Sequence, residues 1–315
     1  YRIKQIFSAQ RDSLNQTSLY SESLQDKHSA PPEIDYIIFL DSDDYWREDC
    51  VQECLKAFAD SKAQGKQAEV VWFDFYKIIG SRFIEDDSYT KIYGTGIFTS
   101  RSWAQKTKSF WFAWLGMIDF RFLQEIGLYF LAGVIYEDES FGIMLFGQSS
   151  YIYKLSASVY YYRIRENSIT NSTQHDIPPY LQNLYKEFGG DFQTFKAYNS
   201  ASSLFLNSLF LARFLDKLNN QQILKTNLSD VLISRGMGIF TFTKDPLGCQ
   251  KHFTELLPLL DPRSIKTKHR LFTFNVLHPL LIRLYILNAY RCKCMCMARR
   301  FVKKTLQFVG VMKQT

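Results

Sequence analysis

The chain has 315 residues, 46% hydrophobic and 22% charged, a globular composition with enough length for about two domains of ~150 residues each. Its net charge of +7 hides an asymmetry: residues 262–315 carry twelve Lys or Arg and no Asp or Glu, which leaves −5 on residues 1–261. A mildly acidic body with a basic tail points to an acidic surface as partner, and the uncharged run at 271–282, twelve residues long and broken by Pro279, is too short to cross a membrane. No nucleic-acid partner is expected. The six cysteines, at 50, 54, 249, 292, 294 and 296, lack the paired C-x-x-C spacing of a zinc site and are read as reduced thiols of a cytoplasmic protein.

In chain order, the sequence opens at Tyr1 as though inside a domain. Residues 13–32 are polar and end in Pro31-Pro32, the signature of a loop. The apolar run 34–40 predicts a buried strand that stops at Asp41, Asp43 and Asp44. On a strand continuing past Leu40, Asp41 and Asp43 would face the same side, and a hard divalent cation is the usual way to relieve their repulsion. The plainer alternative is a polar turn at 41–44 that caps the following helix. That helix is predicted over 50–62, with Val51, Cys54, Leu55 and Phe58 inward.

A strand follows at 69–76, then a charged hairpin or surface excursion at 82–91 and a short helix or loop at 98–108. Residues 110–120 are dense in aromatics, and packing against the sheet is the simplest use for them. Glu137 and Asp138 precede a predicted helix at 140–148, where acids favour the positive end of the helix dipole. A carboxylate there can also take a proton from a hydroxyl. Two short strands are predicted at 151–155 and 159–163. Arg163 and Arg165 flank Ile164 and so share a face, with surface ion pairs as their ordinary use. From 178 onward the pattern is helical: a long helix at 192–218 with Phe195, Leu204, Leu206, Phe210, Phe214 and Leu218 as its apolar positions, and shorter ones at 227–236 and 249–260. The last segment combines apolar residues with Arg291, Lys293, Arg299, Arg300, Lys303 and Lys304. Such a helix either lies on an anionic membrane or packs on the domain with its basic face in water.

Phe39-Leu40-Asp41-Ser42-Asp43-Asp44-Tyr45-Trp46 resembles the metal-binding Asp-x-Asp segment of bacterial family 2 glycosyltransferases, which have the GT-A fold. Two later segments resemble the same family in the same order, Tyr136-Glu137-Asp138-Glu139-Ser140-Phe141-Gly142 and Tyr160-Tyr161-Tyr162-Arg163-Ile164-Arg165-Glu166-Asn167-Ser168-Ile169-Thr170. The resemblance covers about the first 175 residues, with boundaries good to ±2–4 residues. It implies that Asp41 and Asp43 hold Mg²⁺ or Mn²⁺ against the diphosphate of a nucleotide sugar, with UDP-sugars favoured. It implies Asp138 as catalytic base with Glu137 in support, and Arg163 and Arg165 at the leaving diphosphate. Arg11, in Ser8-Ala9-Gln10-Arg11-Asp12, would belong to the nucleotide-binding part, and Trp111 or Trp114 would floor an acceptor sugar. His175 follows on a loop, where some GT-A enzymes use a late His on the metal.

The family's strands that precede the Asp-x-Asp segment are not found. The expectation is therefore an α/β chain: an N-terminally truncated, GT-A-like mixed sheet flanked by helices over residues 1–177, then a helical region with a basic tail over 178–315. The function implied is a metal-dependent inverting glycosyltransferase acting on a lipopolysaccharide, capsule or lipid-linked glycan, cytoplasmic and suited to the inner face of the cytoplasmic membrane. Two alternatives stand beside it. One is an inactive remnant that binds only a membrane or a partner. The other is a haloacid-dehalogenase-type phosphatase with Asp41 as nucleophile.

Overall fold

The computed structural model describes residues 34–108, 110–164 and 177–259. The chain enters the sheet as β1 (Tyr36–Ile38), crosses to β2 (Tyr45–Trp46), and runs through helix α1 (Cys50–Ala63) into the long strand β3 (Val70–Ile79). A tight turn leads to β4 (Arg82–Asp86), then α2 (Ser88–Tyr93), β5 (Gly96–Thr99) and α3 (Ser100–Ala104). β6 (Gly116–Asp119), α4 (Phe120–Glu125), α5 (Glu137–Gln148) and the long strand β7 (Tyr151–Ile164) complete the sheet. The rest of the described chain is helical: α6 (Gln182–Lys186), α7 (Phe192–Phe214), α8 (Gln221–Gly238) and a 3-10 segment at Cys249–Leu259.

The sheet order is β1-β6-β3-β7-β2, with β4 on β3 and β5 on β7. β3 and β7 are parallel, and the short strands pair antiparallel along their outer edges. Every residue from Val70 to Phe75 is buried, so helices and loops cover both faces of this half of β3, as an unbroken apolar run demands. β6 can lie against β3 only because residue 116 is glycine: a Cβ there would come 2.1 Å from the Val71 carbonyl oxygen. This is the mixed α/β class expected, a sheet flanked by helices and followed by a helical region. One contiguous set of buried side chains runs from Cys50 to Leu256 through both parts.

Five sequence expectations need correction here. The run at 34–40 is not a buried central strand: β1 is a three-residue edge strand, half-buried throughout, and Leu40 is exposed. It pairs on one side only, with β6. α1 forms where expected, but its buried stripe is Cys50, Cys54, Ala57, Phe58 and Ser61, while Val51 and Leu55 are 40% and 44% exposed. At 100° per residue, Val51 and Leu55 lie one step round from the stripe set by the two cysteines. The strands at 151–155 and 159–163 are one 14-residue strand, β7. Its register on β3 passes from Trp72↔Lys154 to Asp74↔Ser158, so a bulge absorbs the polar residues that looked like a break. The 249–260 helix is a 3-10 segment, and the long helix ends at Phe214.

Among the described residues no helix is long and apolar enough to cross a membrane. Cys50, Cys54 and Cys249 are buried free thiols. Arg11, Arg165, His175, the cysteines at 292–296 and the basic tail lie outside the described residues.

Candidate active site at the aspartate turn and the start of the α5 helix

Residues 41–44 form a turn closed by the Asp44 N–H, which donates to the Asp41 carbonyl oxygen at 3.1 Å. The chain here passes from β1 at one edge of the sheet to β2 at the other, so no strand continues past Leu40 and Asp41 and Asp43 meet through the turn instead. The turn does not cap α1, whose N-cap is Asp49, engaged with Arg47 at 2.9 Å. Asp44 is 9% exposed and anchors the turn to β7. Its carboxylate accepts from the Tyr160 hydroxyl and from the Arg163 N–H, both at 2.8 Å. The Tyr160 oxygen in turn accepts from the Asp41 N–H at 3.4 Å. Burial raises the Asp44 carboxyl, against the lowering effect of these hydrogen bonds.

The second acidic group opens α5, three residues earlier than the sequence predicts, so Glu137, Asp138 and Glu139 form its first turn. The residue before them, Tyr136, has φ 64°, and it is the only non-glycine residue with positive φ among those described. A bulky side chain rarely adopts this left-handed backbone, and such strain persists only where neighbours hold it. The Asp138 carbonyl accepts from the Phe112 N–H at 3.1 Å, which ties it to the aromatic segment. Burial, then the charges of Glu137 and Glu139, push the Asp138 carboxyl up to about 7. Burial also raises Glu137. Glu139 is raised by burial in spite of its ion pair with Arg235.

These two groups lie within electrostatic reach of each other. Burial, then Asp44, Asp43 and Glu137, push the Asp41 carboxyl up to about 6, so charge from α5 is felt at the turn. The Tyr162 phenol is raised by burial and then by Asp44, Asp41, Asp43 and Asp138 together. One ring on β7 thus lies within electrostatic reach of both acidic segments. Arg163, the next residue, is exposed, and its guanidinium lies 5.8 Å from the centre of the Tyr45 ring. Trp114 is buried, stacked on Tyr160 and Tyr162 with centroids 4.4 and 5.1 Å away, so it bears on the site through Tyr162. Trp111 is half-buried, edge-on to Tyr89 and tilted against Trp114.

Among the described residues no group of three or more His, Cys, Asp or Glu side chains could hold a metal ion as a closed cage. Asp41 and Asp43 offer two hard carboxylates; burial first, and then the charges of Asp44, Asp43 and Glu137, raise the Asp41 carboxyl, and a cation would offset that crowding of negative charge. Mg²⁺ commonly binds through one or two carboxylates and completes its shell with substrate phosphates and water. The turn therefore suits such an ion.

Sequence reasoning gave Asp44 no anchoring role and no part to Tyr162 or Arg235. It also passed over a buried pair, Lys154 and Asp74, 3.0 Å apart and 0% and 1% exposed. The signal for that pair was available: each is a charged residue in the middle of an apolar strand, with opposite signs.

No family model matches the sequence, and no curated protein matches it. Among solved structures the chain is similar to residues 1–349 of S. aureus TarS in complex with UDP-GlcNAc. The two are 15% identical, with a TM-score of 0.36 over 71% of this chain and 67% of that one.

Proposed function

We propose that this chain is a metal-dependent, inverting glycosyltransferase that moves a sugar from a nucleotide-sugar donor, a UDP-sugar, to a hydroxyl of a bacterial surface glycan such as lipopolysaccharide, capsule or a lipid-linked oligosaccharide. One observation carries the reading. The segments that resemble family 2 glycosyltransferases are far apart in sequence, yet Asp44 of the first accepts hydrogen bonds from the Tyr160 hydroxyl and the Arg163 N–H of the third, and Tyr162 of the third lies within electrostatic reach of Asp138 of the second.

Asp41 and Asp43 are the residues to hold Mg²⁺ or Mn²⁺, whose charge when bound offsets that of the departing diphosphate. Asp44 fixes the turn on β7 through Tyr160 and the Arg163 backbone. Arg163 supplies positive charge at the same end of the site, where a leaving diphosphate develops negative charge. Asp138 takes the proton of the acceptor hydroxyl as its oxygen bonds to the anomeric carbon. The bond from that carbon to the diphosphate breaks, and its electron pair leaves with the nucleoside diphosphate. Attack opposite the leaving group inverts the anomeric configuration. Glu137 beside Asp138 raises its affinity for the proton. The basic tail at 262–315 would bring the enzyme to an anionic cytoplasmic membrane face, where lipid-linked acceptors reside.

The test is calorimetric titration of UDP into the full chain with and without Mn²⁺, followed by a UDP-sugar transfer or hydrolysis assay. Binding should require Mn²⁺ and vanish in Asp43→Ala, and turnover should vanish with it. Turnover at the parental rate in Asp43→Ala would falsify the reading. A folded chain with no affinity for UDP would favour a membrane- or partner-binding role instead.

A further inference from the structure

Helix α7 presents three polar side chains on one face, Ser200, Ser203 and Asn207, spaced i, i+3 and i+7, and all three reach the segment that opens α5. Asn207 is 4% exposed. Its Oδ1 accepts from the Ser140 hydroxyl at 2.8 Å, and its Nδ2 donates to the carbonyls of Ile135 at 3.0 Å and Ser203 at 3.1 Å. Ser203 accepts from the Ile135 N–H at 3.2 Å, and Ser200 meets the Tyr136 hydroxyl at 3.2 Å. From α8, Arg235 pairs with Glu139. A buried amide is costly unless its groups are satisfied, and an apolar residue would pack an α7–α5 contact more cheaply. Here the amide bridges the residues on either side of the left-handed Tyr136 and the acidic turn. That is the support a strained backbone needs.

We propose that Asn207 is a positioning residue: it clamps residues 135–140 so that Tyr136 stays left-handed and Asp138 is held in the first turn of α5, facing the aspartate turn. The helical region is then part of the active site and not an appendage to it. What Asp138 does there rests on the glycosyltransferase reading; the clamp itself does not.

Asn207→Ala removes both arms, while Asn207→Asp keeps an acceptor for Ser140 and loses the donor to Ile135. Amide hydrogen exchange and steady-state transfer kinetics on the full chain test them together. In both variants the amides of 135–140 should exchange at least about tenfold faster, with β3 and β7 unchanged, as local opening without global unfolding predicts. In the transfer assay kcat should fall by about 10²-fold in Asn207→Ala, with the donor KM nearly unchanged, because misplacement by about 1 Å costs that much. If Asn207→Ala does not fold, Asn207→Asp decides. Unchanged exchange at 135–140, acceleration spread over the whole chain in Asn207→Asp, or a loss confined to KM would each overturn the clamp. A parental chain without transfer activity would overturn the glycosyltransferase reading alone, and the exchange result would still decide the clamp.

Discussion

Asp138 and its neighbours show how burial assigns different chemistry to identical side chains. With its carboxyl raised to about 7 by burial and by Glu137 and Glu139, Asp138 is protonated in acid and becomes a base only as pH rises. Transfer should therefore climb with pH, about tenfold from pH 5 to 6, and level off above 7, as for a single essential base. Asp138→Asn should lower kcat by about 10²–10⁴-fold and abolish that limb; a limb that survives in Asp138→Asn would place the base elsewhere. Asp41, Asp43 and Asp44 divide their work in the same way. The motif spells three acids, but Asp44 is spent on Tyr160 and the Arg163 N–H and so cannot turn outward without freeing the buried Tyr160 hydroxyl and the Arg163 N–H. The acids and their spacing are visible in the sequence, and only the residues packed around each separate Asp44, an anchor, from the proposed metal ligands and the proposed base.

At the level of elements, close approaches set the distances on which the site depends. A Cβ at Gly142 on α5 would lie 2.8 Å from the Phe112 Cβ and 2.9 Å from its backbone nitrogen. Gly142→Ala must push α5 away from the aromatic segment, at about 1–3 kcal/mol of stability. Because the Phe112 N–H is bonded to the Asp138 carbonyl, the shift reaches Asp138, and urea midpoint and transfer rate should fall together. The two long strands are joined by charge as well as by backbone. Lys154 on β7 bonds Asp74 on β3, and Asp74 also accepts from Thr90. Burial lowers the Lys154 ammonium, which Asp74 opposes. Lys154→Met leaves Asp74 buried without its cation and should cost about 3–5 kcal/mol in urea unfolding, most of it recovered in Lys154→Met with Asp74→Leu. A single variant as stable as the parent would show that the pair adds nothing. β7 itself was legible as two pieces, since periodicity in one chain carries no sign that a bulge will join them along a partner.

For the whole molecule, the acidic cluster links stability to pH and, on the proposed function, to metal. Asp41 at about 6 and Asp138 at about 7 hold their protons more tightly folded than unfolded, where a carboxyl titrates near about 4. The folded state therefore binds more protons across that window, and the stability these groups contribute is lost as pH rises through it. Thermal melts without metal should give a lower Tm at pH 8 than at pH 5. Mn²⁺ at pH 8 should restore Tm in the parent and not in Asp43→Ala; equal recovery in both would remove the metal from the aspartate turn. The sequence by itself determined the strand at 69–76, the helices α1 and α7, and the three acidic and basic segments. These follow from local periodicity and side-chain chemistry, which are properties of neighbours along the chain. Only the tertiary structure decided that the apolar run at 34–40 is an edge, that Cys50 and Cys54 rather than Val51 and Leu55 face inward, and that α7 grips the start of α5. Each of these depends on what lies across a gap of tens of residues, where burial and desolvation are fixed by partners that no local pattern names.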